Sequence, residues 1–232
     1  MLKAILFDAD NTLYKVVNER AHSVMFDYLT AQTHLDRKQL ETSWRAQVKN
    51  VLQSNDAQNI EKRSREYSIE SMLNHFGVAD AKKRKKIVKG ALDIFWKCII
   101  EDLQFDANTA VIITELQKRY VLVIASDEYE KYLKLKLNRV FGNWKKYFKF
   151  LVACETAGLM KPSEKYIQIA LAKLKIAPEE AVVVGDSMMR DIIPAKKLGV
   201  FAVHIAGEDS KNHECAADIE IKLLSELAEA IE

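Results

Sequence analysis

Two textures alternate along this chain. Ala4 to Phe7, Val121 to Ala125, Ala181 to Val184 and Phe201 to Ile205 are apolar at nearly every position, with no alternation. Runs of that kind predict strands covered on both faces, as in the middle of a parallel sheet. Phe148 to Ala153 predicts a further strand, and the short Ile219 to Ile221 a sixth. Elsewhere the apolar residues recur at spacings of three and four, the mark of amphipathic helices.

The helical texture fills residues 16–100, which hold no proline and only two glycines, Gly77 and Gly90. Four helices fit there. The first runs from about Val17 to Gln32 on Ala21, Val24, Met25, Tyr28 and Leu29, and the second starts behind Asp36 with Leu40, Trp44, Val48, Val51 and Leu52. The third spans about Asp56 to His75 and ends at Gly77. The fourth begins near Asp80 and carries Ile87, Val88, Leu92, Phe95, Trp96 and Ile99. After residue 100 the strands are separated by helices at about 107–119, 129–140, 162–175 and 190–198. Helices of that length between strands are crossover connections, so the sheet is parallel. The expected architecture is α/β: a Rossmann-like parallel-sheet core from residues 1–15 and 101–232, with an inserted all-α helical cap at 16–100.

Polar residues stand where the apolar runs stop: Asp8 and Asp10 after the first, Ser126 and Asp127 after the second, and Asp186, followed by Asp191, after Val184. On extended backbone, side chains two apart point the same way, which lets Asp8 and Asp10 converge. In a parallel sheet all these ends lie on one edge, the edge where open α/β folds bind ligands. An isolated Asp-x-Asp is as readily a turn. Its recurrence with other acids at later strand ends is what argues for a site.

Composition narrows the reading. The 232 residues are 49% hydrophobic and 29% charged with a net charge of +2, an ordinary globular balance that gives no reason to expect nucleic acid or a membrane as partner. No apolar run is long enough to span a bilayer, and the first run ends in acids, unlike a signal peptide. Cys98, Cys154 and Cys215 are odd in number and widely spaced, which reads as free thiols in a reducing cytoplasm. The basic run Lys82 to Lys86 lacks interleaved aromatics and reads as a solvated helix face.

Phe7-Asp-Ala-Asp-Asn-Thr-Leu13, Ser126, Lys161-Pro162 and Gly185-Asp-Ser-Met-Met-Arg-Asp191 together resemble, in order, the four motifs of the haloacid dehalogenase superfamily of phosphohydrolases. The long helical stretch after the first motif resembles the helical cap of that family. The resemblance implies a phosphatase acting on a small-molecule phosphomonoester. Asp8 would be the nucleophile that becomes phosphorylated, and Asp10 the acid and then the base. Thr12, Ser126, Asp127 and Lys161 would hold the phosphate, with Thr12 also able to tie its loop through the hydroxyl.

Asp8, Asp10, Asp186 and Asp191 around an anionic substrate repel it unless cations are present. Lys161 supplies one. A donor set of oxygen alone favours magnesium over zinc for the rest. By resemblance the metal residues are Asp8, Asp10 through its backbone carbonyl, and Asp186, while Asp191 acts through water or by orienting Lys161. Pro162 suits the first position of the helix that follows.

Two departures stand out. Asp127 replaces the usual Asn, and a common Pro-Gly pair before the second strand reads Phe105-Asp-Ala-Asn-Thr109. Lys15, Arg20 and His22, which follow the first motif closely, could reach a leaving group or form a solvated face. Three other readings share this sequence: a 2-haloacid dehalogenase, disfavoured by the acid at Asp10; a phosphosugar mutase; and a non-catalytic module binding an acidic partner or nucleic acid through the basic cap, disfavoured by the set of four acids.

Overall fold

The computed structural model describes residues 1–55, 58–206 and 216–232. Asp56 and Cys215 lie outside the described residues. The chain divides into two compact units, Met1–Val16 with Gln104–Glu232, and Val17–Leu103.

The first unit opens with β1 (Ala4–Phe7). The second unit follows with α1 (Glu19–Thr33), α2 (Arg37–Gln53), the single turn α3 (Ile60–Arg63), α4 (Arg65–His75) and α5 (Ala81–Glu101). The chain then returns to the sheet unit through α6 (Thr109–Gln117), β2 (Val121–Ala125), α7 (Glu130–Phe141), β3 (Phe150–Val152), the short α8 (Cys154–Ala157), α9 (Lys165–Leu174) and β4 (Ala181–Gly185). A π-helical turn (Met188–Ile192) leads into α10 (Ile193–Lys197), β5 (Phe201–Ile205), β6 (Ile219–Ile221) and α11 (Leu227–Ala230).

The six strands form one sheet in the order β3-β2-β1-β4-β5-β6, with every pairing parallel. β1 is central. It is flanked by two of the other long apolar runs, β2 and β4, and Ile5, Leu6 and Phe7 are fully buried. Because both faces of these strands are covered by helices, continuous Val, Ile and Leu is the pattern that burial demands.

In the helical unit, α1 packs on α5, and α4 packs on both α2 and α5. Asp36 and Asp80 cap their helices: Asp36 accepts from the Gln39 N–H at 2.9 Å, and Asp80 from the Lys82 and Lys83 N–H groups. Gly90 lets α1 come close, since a Cβ there would lie 2.1 Å from the Tyr28 hydroxyl.

Two boundaries differ from the sequence reading. The helix expected up to His75 is broken at Ser64, whose backbone is extended and whose hydroxyl accepts from the Tyr67 N–H at 3.0 Å, so α4 starts afresh. The helix expected from Pro162 begins only at Lys165. Lys161–Pro162 is a cis peptide within a turn, and the Ser163 hydroxyl accepts from the Lys165 N–H. The short α8 and α11 lack the apolar period that would have announced them. Of the cysteines, Cys98 and Cys154 are buried free thiols. Among the described residues no helix is long and apolar enough to cross a membrane.

Candidate active site

The strand register brings the acids together. Phe7 pairs with Ile124 on one side and Val184 on the other, and the Asp8 N–H extends the ladder to the Val184 carbonyl at 2.8 Å. Asp8, Ser126 and Asp186 therefore leave adjacent strands on the same edge. Lys161 arrives from the turn before α9 and donates to Asp8 Oδ1 and Asp191 Oδ1, each at 2.6 Å. All three side chains are buried.

Asp191 reaches this position because the π-helical turn folds back over the end of β4. Its Oδ2 accepts from the Ser187 N–H at 3.1 Å. Gly185 leaves the space: a Cβ there would lie 2.6 Å from Cβ, Cγ and Oδ2 of Asp191. Carboxylate oxygens of Asp8, Asp186 and Asp191 all lie within 4.8 Å of one another. Among the described residues, buried Asp186 Oδ1 has no hydrogen-bond partner. His204, itself buried, donates from Nε2 to the Asp186 carbonyl at 3.0 Å and fixes that backbone.

Burial raises the pKa of Asp8; Lys161 pulls it down, while Asp191 and Asp127 push it further up. Burial followed by Asp191 likewise raises Asp186. For Lys161, burial works against the ammonium, but Asp191, Asp8 and Asp127 outweigh it and its pKa rises. Lys161 engages one oxygen each of Asp8 and Asp191, and the carboxylate oxygens left over make a donor set suited to a hard divalent cation.

Asp10 sits apart from that cluster of three. Both of its oxygens accept from Lys136 Nζ, at 2.6 and 2.5 Å, and Glu128 accepts from the same ammonium at 3.1 Å. Thr12 is buried, yet its hydroxyl has no hydrogen-bond partner among the described residues. The loop is tied instead by Asn11, in a left-handed conformation with φ of 62°, whose side chain accepts from the Val16 N–H at 3.1 Å. The Leu13 N–H adds a bond to the Ala9 carbonyl at 3.0 Å.

A family model for haloacid dehalogenase-like hydrolases matches residues 2–199. The chain belongs to that family. A glyceraldehyde 3-phosphate phosphatase of Methanopyrus kandleri is 25% identical over 100% of this chain and 97% of its own. A ribulose-1,5-bisphosphate 5-phosphatase of Halopiger xanaduensis is 24% identical over 100% of both. In three dimensions the chain is similar to a 2-haloacid dehalogenase of Pseudomonas syringae, with a TM-score of 0.79 at 22% identity over 100% of this chain and 98% of that one. At that identity the likeness speaks for the fold alone.

For this haloacid dehalogenase-like hydrolase, Ser126 is buried at the end of β2, its hydroxyl accepting from the Glu128 N–H at 3.3 Å. Asp127 is matched by a cation that the sequence reading passed over. Arg190 Nη1 lies 3.4 Å from Asp127 Oδ2. Burial works against the Arg190 guanidinium, but Asp127 first, then Asp8, Asp191 and Asp186, raise its pKa.

Lys136 was missed as well, although its position was a clue. Leu133, Leu137 and Phe141 form the buried face of α7, and Lys136 falls on that face. A lysine at a core-facing position calls for a buried acid nearby. Of the residues expected to reach a leaving group, Arg20 is held within the helical unit, with Nε 2.6 Å from Asp102 and Nη2 2.8 Å from Glu101. His22 packs between the rings of Trp44 and Phe95, at 5.0 and 5.1 Å. In the basic run, Lys82, Lys83, Lys85 and Lys86 are exposed, while Arg84 turns back to the Val78 carbonyl at 2.7 Å.

Proposed function

We propose that this hydrolase is a magnesium-dependent phosphatase that cleaves a small-molecule phosphomonoester through a phosphorylated Asp8. The observation that carries the reading is the Asp8–Lys161–Asp191 bridge beside Asp186. Lys161 holds one oxygen of Asp8 and leaves the other to attack. The phosphatases among the relatives support the same reading.

In this mechanism the free Asp8 oxygen bonds to phosphorus as the ester P–O bond breaks, and Asp10 gives the leaving oxygen a proton. Water then bonds to phosphorus, Asp10 takes a proton from it, and the Asp8–phosphorus bond breaks. Lys161 balances charge on Asp8 and on the transferring group. The Ser126 and Thr12 hydroxyls and the backbone N–H of Asp127 bind its oxygens, and the carboxylate of Asp127 is kept from repelling the phosphate by Arg190.

The donor chemistry and the orphaned Asp186 oxygen fit magnesium. Asp8, Asp186 and the Asp10 carbonyl would hold it. Asp191 has both oxygens engaged by Lys161 and Ser187, and so orients Lys161. The ion would supply positive charge among the carboxylates and polarise the phosphoryl oxygens. Residues 17–103 take the role of the cap, and the chain acts in the cytoplasm.

The test is phosphate release from p-nitrophenyl phosphate. Activity that depends on magnesium, stops with chelator and falls to background in Asp8→Asn supports the reading. Chloride release from 2-chloropropionate without metal, and no phosphate release, would replace it with dehalogenation.

A further inference from the structure

Lys136 presents a problem that packing does not answer. It is 1% exposed, on a helix face otherwise made of Leu133, Leu137 and Phe141. Burying an ammonium is costly unless it is fully paired, and Leu or Met would fill the same space without that cost. Its pairing is specific: both oxygens of Asp10 and one of Glu128, with the Tyr14 ring centre 6.0 Å away. Asp10 itself is one-third exposed, so water could solvate it without help from a lysine.

We propose that Lys136 is the positioning residue for Asp10, fixing where its carboxyl group stands for proton transfer. This rests on the phosphatase reading above. An ammonium can keep one Asp10 oxygen and release the other. The retained oxygen accepts from Lys136, while the released one carries the proton. That proton passes to the leaving oxygen as its bond to phosphorus breaks. A proton returns to the same Asp10 oxygen when water attacks the phosphorylated Asp8. Glu128 holds the other side of the ammonium, so that Lys136 stays in place while Asp10 works.

Loss of positioning has a signature that loss of structure lacks. A p-nitrophenolate leaves phosphorus without being protonated, whereas an alkoxide needs the proton. The experiment compares kcat/KM of Lys136→Met for p-nitrophenyl phosphate and for glycerol phosphate. Acid catalysis is worth about 10²–10⁴-fold, so the alkyl ester should lose about tenfold or more while the aryl ester stays within about threefold. Lys136→Arg should restore the alkyl activity in large part. In an Asp10→Asn background, Lys136→Met should change neither substrate further.

Equal losses on both esters, or no loss on either, overturn the proposal. Where Lys136→Met does not fold, Lys136→Gln against Lys136→Arg gives the same decision, since only Gln should depress the alkyl-to-aryl ratio. A wild-type enzyme that hydrolyses neither ester overturns the phosphatase reading and this proposal together. A wild-type enzyme active on both, with an unchanged ratio in the variant, overturns this proposal alone.

Discussion

Gly185 and Asp191 are packed so closely that the carboxyl group of Asp191 occupies the space where any other residue at 185 would carry its Cβ, 2.6 Å away. The contact is the reason the end of β4 can hold a second acid over the first. Gly185→Ala should therefore push Asp191 away from Lys161. The expected cost is about 1–3 kcal/mol of stability from overpacking, together with a loss of phosphatase activity far larger than for alanine at an exposed site. Urea denaturation alongside steady-state kinetics measures both. Retention of wild-type activity would mean that the Lys161–Asp191 contact is dispensable.

Lys161 bonds two buried carboxylates at once, so its removal should change stability as well as activity. Lys161→Met leaves Asp8 and Asp191 facing each other without a cation, and breaking a buried pair in this way costs about 3–5 kcal/mol. Adding Asp191→Asn to Lys161→Met should recover part of that loss, because one repelling charge is gone. Denaturation midpoints of the single and double variants decide the point: an additive, further loss in the double variant contradicts it.

Arg190 and Asp127 should behave as a coupled pair. Arg190→Met leaves the Asp127 carboxylate uncompensated, and if Asp127 adjoins the phosphate as proposed, KM should rise several-fold, by the roughly 1 kcal/mol that one such charge contact is worth. The same substitution made in Asp127→Asn should raise KM much less. Initial-rate measurements on the four proteins test this, and equal effects in both backgrounds would show that the pairing is without consequence.

The helical unit carries its own pH dependence. Burial, then the Arg65 guanidinium, hold the His22 imidazole below its ordinary value of 6.5, against a smaller opposing contribution from the Asn18 carbonyl. The unfolded chain thus binds this proton more readily than the folded one, and stability must fall as the proton is forced on. The contribution is complete above 6.5 and is lost as pH drops below it toward the depressed folded value. Thermal unfolding between pH 7.5 and 5.5 should show a decline in Tm that His22→Gln reduces. An identical slope in the variant would place the dependence elsewhere.

Much of this architecture is legible in the sequence. Val121–Ala125 and Phe201–Ile205 are strands at the residues the apolar runs mark, because all but the first residue of each is buried, which keeps the run apolar at nearly every position. The helix starts at Asp36 and Asp80 were legible for a different reason: a short acceptor beside free N–H groups is chemistry local to the sequence. The break at Ser64 was hidden, since Ile60 and Tyr67 stand seven apart, in phase for one helix, and the polar residues between them carry no apolar period to mark an interruption. In the site, Asp8, Ser126, Asp186 and Lys161 were visible as residues at strand ends and within motifs. The counter-charges of Asp10 and Asp127 were not. Lys136 stands 126 positions from Asp10 and Arg190 stands 63 from Asp127, pairings that only the fold creates.

The central claim is that Asp8 carries the phosphoryl group between the ester and water. Its most direct test is an acid quench of enzyme turning over a ³²P-labelled phosphomonoester, followed by proteolysis and peptide mapping. The account predicts a hydroxylamine-labile label on the peptide containing Asp8, absent from Asp8→Asn. Label on another residue, or undiminished phosphate release by Asp8→Asn, would contradict it.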